Sequence, residues 1–219
     1  LRATRNRAVT DSDLELWTDE QVRDFDKSLT FIPNSPAQLY EIGVQHLLDF
    51  KDWLERGNTS LAETYQKITS ETEMRNVVAH HIQNTAKGAF TCAQEAELAN
   101  NQRPDIWLQH PSVIVPVPVE LKLLDKSWSG PNICERLRNQ LIGDYLRADG
   151  ADFGIFLLVW QGKDGAQKRW VIDGKKTDIS ELSSALTNHW LSISHQYPKV
   201  KDLKIIVIDL SLRAERSLD

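Results

Sequence analysis

Two short, unbroken apolar runs limit most strongly what this chain can fold into. Residues 155–160 and 205–208 carry only aliphatic and aromatic side chains, and each run has the length of one β-strand. A helical pattern over residues 180–193 lies between them. Strands joined by a helix predict a sheet covered by helices, in an α/β or α+β fold.

Capping signals predict two helices ahead of that sheet. Ser35 before Pro36 is typical of a helix start and Gly57 of a helix end, so the apolar pattern between them predicts a helix. Ser70 with Glu73 three residues later forms a capping box, which opens a second helix that runs to residue 87.

The rest of the chain alternates strand and helix patterns. Strands are predicted at residues 90–98, 105–108 and 113–124, followed by a helix at 133–147 and the strand of the first apolar run. Residues 170–172 are predicted to pair with that strand, and the second apolar run forms the last strand. From residue 70 the order is helix, three strands, helix, strand, helix, strand, with a mixed central sheet.

Charge is distributed unevenly along the 219 residues. Lys and Arg number 26 against 31 Asp and Glu, which gives a net charge of −5. Residues 1–73 hold eight basic and fourteen acidic residues, whereas residues 74–219 are nearly neutral. This balance excludes a protein that coats nucleic acid through bulk positive charge, but it leaves a near-neutral region in which an enzyme site can lie.

Composition also bears on compartment and domain organisation. No apolar run approaches the roughly 18 residues of a membrane-spanning helix, so no membrane partner is expected. The two cysteines, Cys92 and Cys134, are too few for a disulfide framework, which favours a cytoplasmic location. Because the chain starts at Leu1 and its single methionine is Met74, we expect a longer polypeptide with further domains as partners. Residues 1–69 are predicted to be a helical extension, which includes a helix near residue 19, and residues 70–219 the main domain.

The chemistry-bearing residues lie on two neighbouring predicted strands. Asp105 opens one strand, and Glu120 and Lys122 lie two positions apart on the next, so their side chains share one face. Charged groups among valine, leucine and isoleucine are costly unless they pair or bind a metal. Carboxylate oxygens suit Mg²⁺ or Mn²⁺, which can activate water for attack on a phosphodiester. A salt-bridge cluster on an edge strand is the alternative interpretation.

Pro104-Asp105 followed by Glu120-x-Lys122, on strands after a helix, resembles the PD-(D/E)XK nuclease superfamily. The resemblance covers residues 70–210 and implies a restriction-endonuclease-like αβββαβ core, with a mixed central sheet flanked by helices. It implies that Asp105, Glu120 and the carbonyl of Leu121 hold Mg²⁺, with Mn²⁺ as an alternative, and that Lys122 positions the attacking water. The expected protein is a nuclease domain at the C-terminus of a larger bacterial protein.

Further residues match the superfamily one by one. Glu73 lies where many members carry an extra metal-binding acid, although the capping box is its alternative role. Glu95 is another acidic candidate, or a solvent-facing strand residue. Gln140 and Tyr145 are similar to a glutamine-and-tyrosine motif of exonuclease-type members, with one residue more between them than usual. Gln140 would orient Lys122 or a phosphate; the alternatives are an ordinary polar helix position and, for Tyr145, core packing.

A basic segment is the candidate contact with nucleic acid. Residues 163–176 carry a net charge of +3, which can grip a phosphate backbone. A solvated hairpin is the alternative interpretation. The candidates are Lys168, Arg169, Lys175 and Lys176.

The residues and the resemblance together predict a metal-dependent nuclease that hydrolyses phosphodiester bonds, with DNA as the expected partner. Such a domain suits the effector end of a restriction or phage-defence protein. The alternative is a catalytically inactive nuclease-like fold that acts as a nucleic-acid-binding or docking module in a large assembly. The sequence leaves open endo- or exonuclease action, DNA or RNA preference, and whether the chain forms a homo-oligomer.

Overall fold

The computed structural model of the protein describes residues 18, 32–94, 104–147, 149–163 and 168–212. Its strands are β1 Thr91–Gln94, β2 Ile106–Gln109, β3 Val117–Leu123, β4 Phe153–Trp160, β5 Trp170–Ile172, β6 Lys175–Thr177 and β7 Asp202–Asp209. Five of them form a central sheet in the order β1-β2-β3-β4-β7. β1, β2 and β3 pair antiparallel, whereas β3, β4 and β7 run parallel. The predicted α+β class with a mixed sheet is confirmed, and both apolar runs lie in its parallel half.

Helices flank both faces of this sheet. They are α1 Pro36–Arg56, α2 Ala62–Gln66, α3 Glu71–Thr85, α4 Gly130–Arg136 and α5 Ile179–Ile193. The capping predictions are confirmed, since Ser35 Oγ accepts from the N–H of Gln38 at 3.3 Å and Ser70 Oγ from the N–H of Glu73 at 3.1 Å. Gly57 follows the end of α1, as expected.

The helix predicted over residues 133–147 is not a single α-helix. α4 ends at Arg136 and continues as a π-helix, Leu137–Tyr145. At its end the N–H of Leu146 donates to the carbonyl of Leu141, five residues back, at 3.1 Å. Because hydrogen bonds in a π-helix span five residues, side chains five apart come one turn apart, which an α-helical spacing rule does not predict.

The sheet separates two apolar cores. Val119, Leu121 and Leu123 of β3 face a core that they share with α1, α2 and α3. Glu120 and Lys122 alternate with them, so they point to the opposite face. On that face lie the π-helix, α5 and the β5–β6 hairpin.

α1 shares a core with the strands. Its Gly43 lies so close to Leu108 of β2 that a Cβ atom would collide with that side chain. The hydroxyl of Tyr40 donates to Asp202 of β7 at 3.0 Å. Residues 32–219 group into one compact unit.

The segment at residues 170–172 does not pair with β4, in contrast to the expectation. As β5 it pairs antiparallel with β6, in a hairpin of its own. Asp173 and Gly174 form the two-residue turn, with φ of 48° and 80°. Asp-Gly with positive φ at both positions is the preferred chemistry of a tight hairpin, so local pairing prevails over pairing with the distant strand.

Glu95 and the helix predicted near residue 19 lie outside the described residues. Within the described ranges, no helix combines the length and apolarity that a bilayer crossing requires.

Candidate active site

The candidate site forms where β2 ends beside β3. Ile106 is the first residue of β2 and lies opposite Val119, so the next positions of β3 have no β2 residue beside them. Asp105 covers this edge instead, because its Oδ2 accepts from the N–H of Leu121 at 2.8 Å. The carbonyl of Leu121 accepts from Lys122 Nζ at 2.9 Å. The side chains of Asp105 and Lys122 therefore form the hydrogen bonds with the Leu121 peptide that a neighbouring strand would otherwise form.

Four oxygen atoms from four residues surround the ammonium of Lys122. The distances to Nζ are 2.5 Å for Glu120 Oε1, 2.9 Å for the Leu121 carbonyl, 3.5 Å for Glu71 Oε2 and 3.6 Å for Asp105 Oδ2. The structure thus brings Asp105, Glu120 and Lys122 together at one point, as the spacing of the motif predicts.

Glu120 is buried in an environment that disfavours its charge. The residue is 0% exposed, and among the described residues neither carboxylate oxygen has a hydrogen bond of normal geometry, although Oε1 pairs with Lys122. Burial and the charge of Asp105 raise the pKa of Glu120 to about 7, against the opposing effect of Lys122. Buried polar groups without hydrogen bonds are uncommon in folded proteins, and perturbed carboxyl groups concentrate at functional sites.

Lys122 is buried as well, but its neighbours keep it charged. Burial acts to lower the pKa of its ammonium group. The charges of Glu120, Asp105 and Glu71 together outweigh that effect and raise the pKa above its ordinary value. Lys122 is therefore protonated at neutral pH.

The acidic residue that α3 brings to this site is Glu71, whereas the sequence favours Glu73. Glu73 is exposed, and its N–H is the one that Ser70 caps. An α-helix has 3.6 residues per turn, so side chains two positions apart point in nearly opposite directions. Glu71 lies four residues before Arg75, so the two side chains share one side of α3. Arg75 is buried there, with its Nη1 3.4 Å from Asp105 Oδ1.

The π-helix brings Gln140 and Tyr145 into contact. Gln140 Nε2 donates to Tyr145 Oη at 3.2 Å, and the five-residue step of the π-helix accounts for the additional residue between them. Tyr145 is buried, and burial together with the charge of Glu120 raises the pKa of its hydroxyl. Tyr145 therefore packs in the core and also lies beside the candidate site. Gln140 is linked to Glu120 through this tyrosine.

The donor atoms at the site suit a hard divalent cation. Three carboxylate oxygens and one peptide carbonyl already surround a cation, the ammonium of Lys122. In the described part of the chain, no group of three or more acidic, histidine or cysteine side chains is arranged as a ready metal site. Here the ammonium lies between the carboxylates. The residues fit Mg²⁺ or Mn²⁺ by donor chemistry and because the oxygens of Glu120 lack hydrogen bonds of normal geometry to the described residues.

The four basic candidates have different surroundings. Lys168 Nζ donates to the carbonyl of Leu124 at 2.7 Å and lies over the rings of Trp160 and Trp170, at 5.2 and 5.6 Å from their centroids. Its ammonium is thus engaged in the packing of the hairpin base. The remaining three are exposed on or beside the hairpin: Arg169, Lys175 and Lys176.

Comparisons of the chain with protein-family models, with curated proteins and with solved structures found no significant match. The functional assignment consequently rests on two things. One is the geometry around Lys122, and the other is the resemblance carried by Asp105, Glu120 and Lys122.

Proposed function

We propose that this chain contains a divalent-metal-dependent nuclease site of the PD-(D/E)XK type, which hydrolyses phosphodiester bonds in DNA. One observation carries the proposal: Asp105, Glu120 and Lys122 meet at the open edge of β3, where Glu120 is fully buried and neither of its oxygens has a hydrogen bond of normal geometry to the described residues. A structural ion-pair cluster would leave these charges at the surface or saturate them with donors.

The order of elements supports the same proposal. From α3 the chain runs through β1, β2 and β3 to α4 with its π-helical continuation, and then to β4. This is the αβββαβ order of a restriction-endonuclease-like core. In that core the strand after Asp105 and the strand of Glu120-x-Lys122 are neighbours, as β2 and β3 are here.

Each residue of the cluster has a role that follows from its surroundings. Asp105, Glu120 and the Leu121 carbonyl would hold Mg²⁺ or Mn²⁺, with Glu71 as an additional acid. The bound ion would supply stabilisation of the charge that develops on the phosphate and would acidify a water molecule. The ammonium of Lys122, which lies among these oxygens, would orient the attacking water by donating a hydrogen bond to it.

Tyr145 and Gln140 act on Glu120 from the side of the π-helix. Tyr145 Oη accepts from Gln140, and its own proton can be donated to Glu120, a contact that lowers the pKa of that carboxyl. The donated proton favours the ionised form of Glu120, which is the form that binds a metal. Tyr145 is therefore a positioning residue for Glu120, and Gln140 for Tyr145.

The wider role extends this proposal. A nuclease domain preceded by an acidic helical part suits the effector domain of a restriction or phage-defence protein that acts on cytoplasmic DNA. The exposed cations of the hairpin then serve as contacts to the phosphate backbone. They are Arg169, Lys175 and Lys176.

A cleavage assay tests the proposal directly. Supercoiled plasmid, linear duplex, single-stranded DNA and RNA are each incubated with the chain in Mg²⁺, Mn²⁺ or EDTA. We expect a DNA substrate to be cleaved with either metal, cleavage to be abolished by EDTA, and the rate to fall by roughly 10²- to 10³-fold in E120Q. The matched control is E55Q, which alters another buried carboxylate and should cleave as the wild type does. Undiminished cleavage by E120Q contradicts the proposal, and absence of both cleavage and metal binding favours a docking module.

A further inference from the structure

Arg75 is a buried cation of the site that the proposed mechanism does not use. It lies one turn after Glu71 on α3, and its side chain is 9% exposed. Its Nη1 is 3.4 Å from Asp105 Oδ1. A buried guanidinium carries a large desolvation cost, which the nearby carboxylate of Asp105 helps to offset.

The charges around the cleft do not balance once a divalent cation is present. Among the described residues, three carboxylates lie beside two cations, which leaves one negative charge when all three carboxylates are ionised. The carboxylates are those of Glu71, Asp105 and Glu120, and the cations are Lys122 and Arg75. A divalent cation reverses this to one positive charge. Each phosphodiester linkage carries a single negative charge, so a bound phosphate restores neutrality.

Of the two cations, Arg75 is the better placed to exchange its contact with Asp105 for another oxygen. Lys122 is held closely by Glu120 Oε1 and by the Leu121 carbonyl, at 2.5 and 2.9 Å. The contact between Arg75 and Asp105 is near the limit of a hydrogen bond. The planar guanidinium also matches the paired oxygens of a phosphate better than an ammonium does.

We propose that Arg75 binds the phosphodiester of the substrate, exchanging its contact with Asp105 for a phosphate oxygen when a divalent cation is held by the carboxylates. This inference rests on the proposed function. In the metal-free site Arg75 offsets the charge of Asp105 and competes with the metal for it. It has opposite effects on the two ligands, since it weakens metal binding and strengthens binding of the nucleic acid.

The test measures the two ligands separately, without a turnover assay. Mn²⁺ binding is measured by calorimetry on wild type, R75M and R75K, with R56M as the control, because Arg56 is an exposed arginine at the end of α1. Affinity for a fluorescent DNA duplex is measured in Ca²⁺ over a series of salt concentrations. Circular dichroism confirms that each variant is folded, and R75K keeps the charge if R75M does not fold.

We expect R75M to bind Mn²⁺ at least threefold more tightly than the wild type and the duplex about tenfold more weakly. The slope of the logarithm of its duplex affinity against the logarithm of salt concentration should decrease in magnitude by about one, the effect of losing one phosphate contact. R75K should keep the wild-type slope, and R56M should match the wild type in every measurement.

Two results overturn the inference, and they are distinguishable. If the wild type binds Mn²⁺ but R75M shows equal or weaker Mn²⁺ affinity with an unchanged salt slope, Arg75 only supports Asp105 structurally, and the proposed function stands. If the wild type binds no divalent cation, the proposed function fails and the role of Arg75 fails with it.

Discussion

Glu55 and Glu120 are both buried carboxylates, but they are stabilised differently. Glu55, at the end of α1, is 3% exposed; it accepts from the N–H of Asp209 at 2.8 Å and pairs with Lys51. Glu120, in the middle of β3, is 0% exposed and has no hydrogen bond of normal geometry within the described chain. The first carboxylate accepts a hydrogen bond from the edge strand β7, whereas the second pairs with the ammonium of Lys122 and lies near the like charge of Asp105.

Under the proposed function, this difference separates a structural buried acid from a metal-binding one. A structural carboxylate uses its lone pairs on donors of the fold, so its removal costs stability. A functional carboxylate keeps oxygens without hydrogen bonds, to which a ligand can bind. Those oxygens lower the stability of the folded state while the ligand is absent. Substitution of Glu120 should therefore affect activity more than stability, and substitution of Glu55 the reverse.

The largest expected effect is on cleavage by E120Q. Loss of the carboxylate charge should lower the rate by roughly 10²- to 10³-fold, because a group that holds the charge-stabilising ion is lost. The free energy of unfolding should change little, because E120Q removes the desolvation cost of one buried charge but also weakens the pairing of Lys122. Single-turnover kinetics and urea unfolding measure the two quantities. A stability loss that accounts for the rate loss would contradict the comparison.

The opposite pattern is expected for E55A. Removal of the acceptor for the Asp209 N–H should lower the free energy of unfolding by about 2 kcal/mol. Cleavage per folded molecule should be unchanged, because Glu55 contacts β7 and not the cleft at β3. Urea unfolding and the cleavage rate at a temperature where the variant is folded measure both. Wild-type stability in E55A would remove the distinction between the two carboxylates.

A smaller effect is expected for Y145F, which removes the hydroxyl between Gln140 and Glu120. The tyrosine contact lowers the pKa of Glu120, so its loss should favour the protonated carboxyl. Affinity for Mn²⁺ should decrease by roughly tenfold, the usual cost of losing a group that orients a metal ligand. Calorimetry measures this, and an unchanged affinity would assign Tyr145 to core packing alone.

The smallest expected effect is a pH dependence of stability in EDTA. The folded pKa of Glu120, about 7, lies above its ordinary value of 4.5, so between these values the folded state binds more protons than the unfolded state. The stabilisation is complete below pH 4.5 and is lost as pH rises through about 7. E120Q should lack this loss, and E55A should retain it. Urea unfolding across this pH range measures it; parallel curves for wild type and E120Q would contradict the altered pKa.

Features encoded by local patterns could be predicted from the sequence. Ser35 and Ser70 set helix starts through their own side chains, and the apolar runs formed β4 and β7 because no other element can bury them. The two-residue spacing of Glu120 and Lys122 placed both on one face of β3. These inferences require only the periodicity of one element at a time.

Features that depend on two elements together could not be predicted in the same way. The choice between Glu71 and Glu73 depends on how α3 is rotated against β3, which the capping box does not determine. In the π-helix the number of residues per turn differs from that of an α-helix, which side-chain spacing alone does not reveal. The additional residue between Gln140 and Tyr145 is consistent with this longer turn. The acidic composition of residues 1–73 likewise gave no indication that α1 packs into the main core.

The most direct test of the central claim is a calorimetric titration of Mn²⁺ into wild type, E120Q and E55Q. We expect saturable binding to the wild type, equal binding to E55Q, and at least tenfold weaker binding to E120Q. Equal Mn²⁺ affinity in wild type and E120Q, or no binding to the wild type, would contradict the claim that Glu120 is buried to hold a divalent cation.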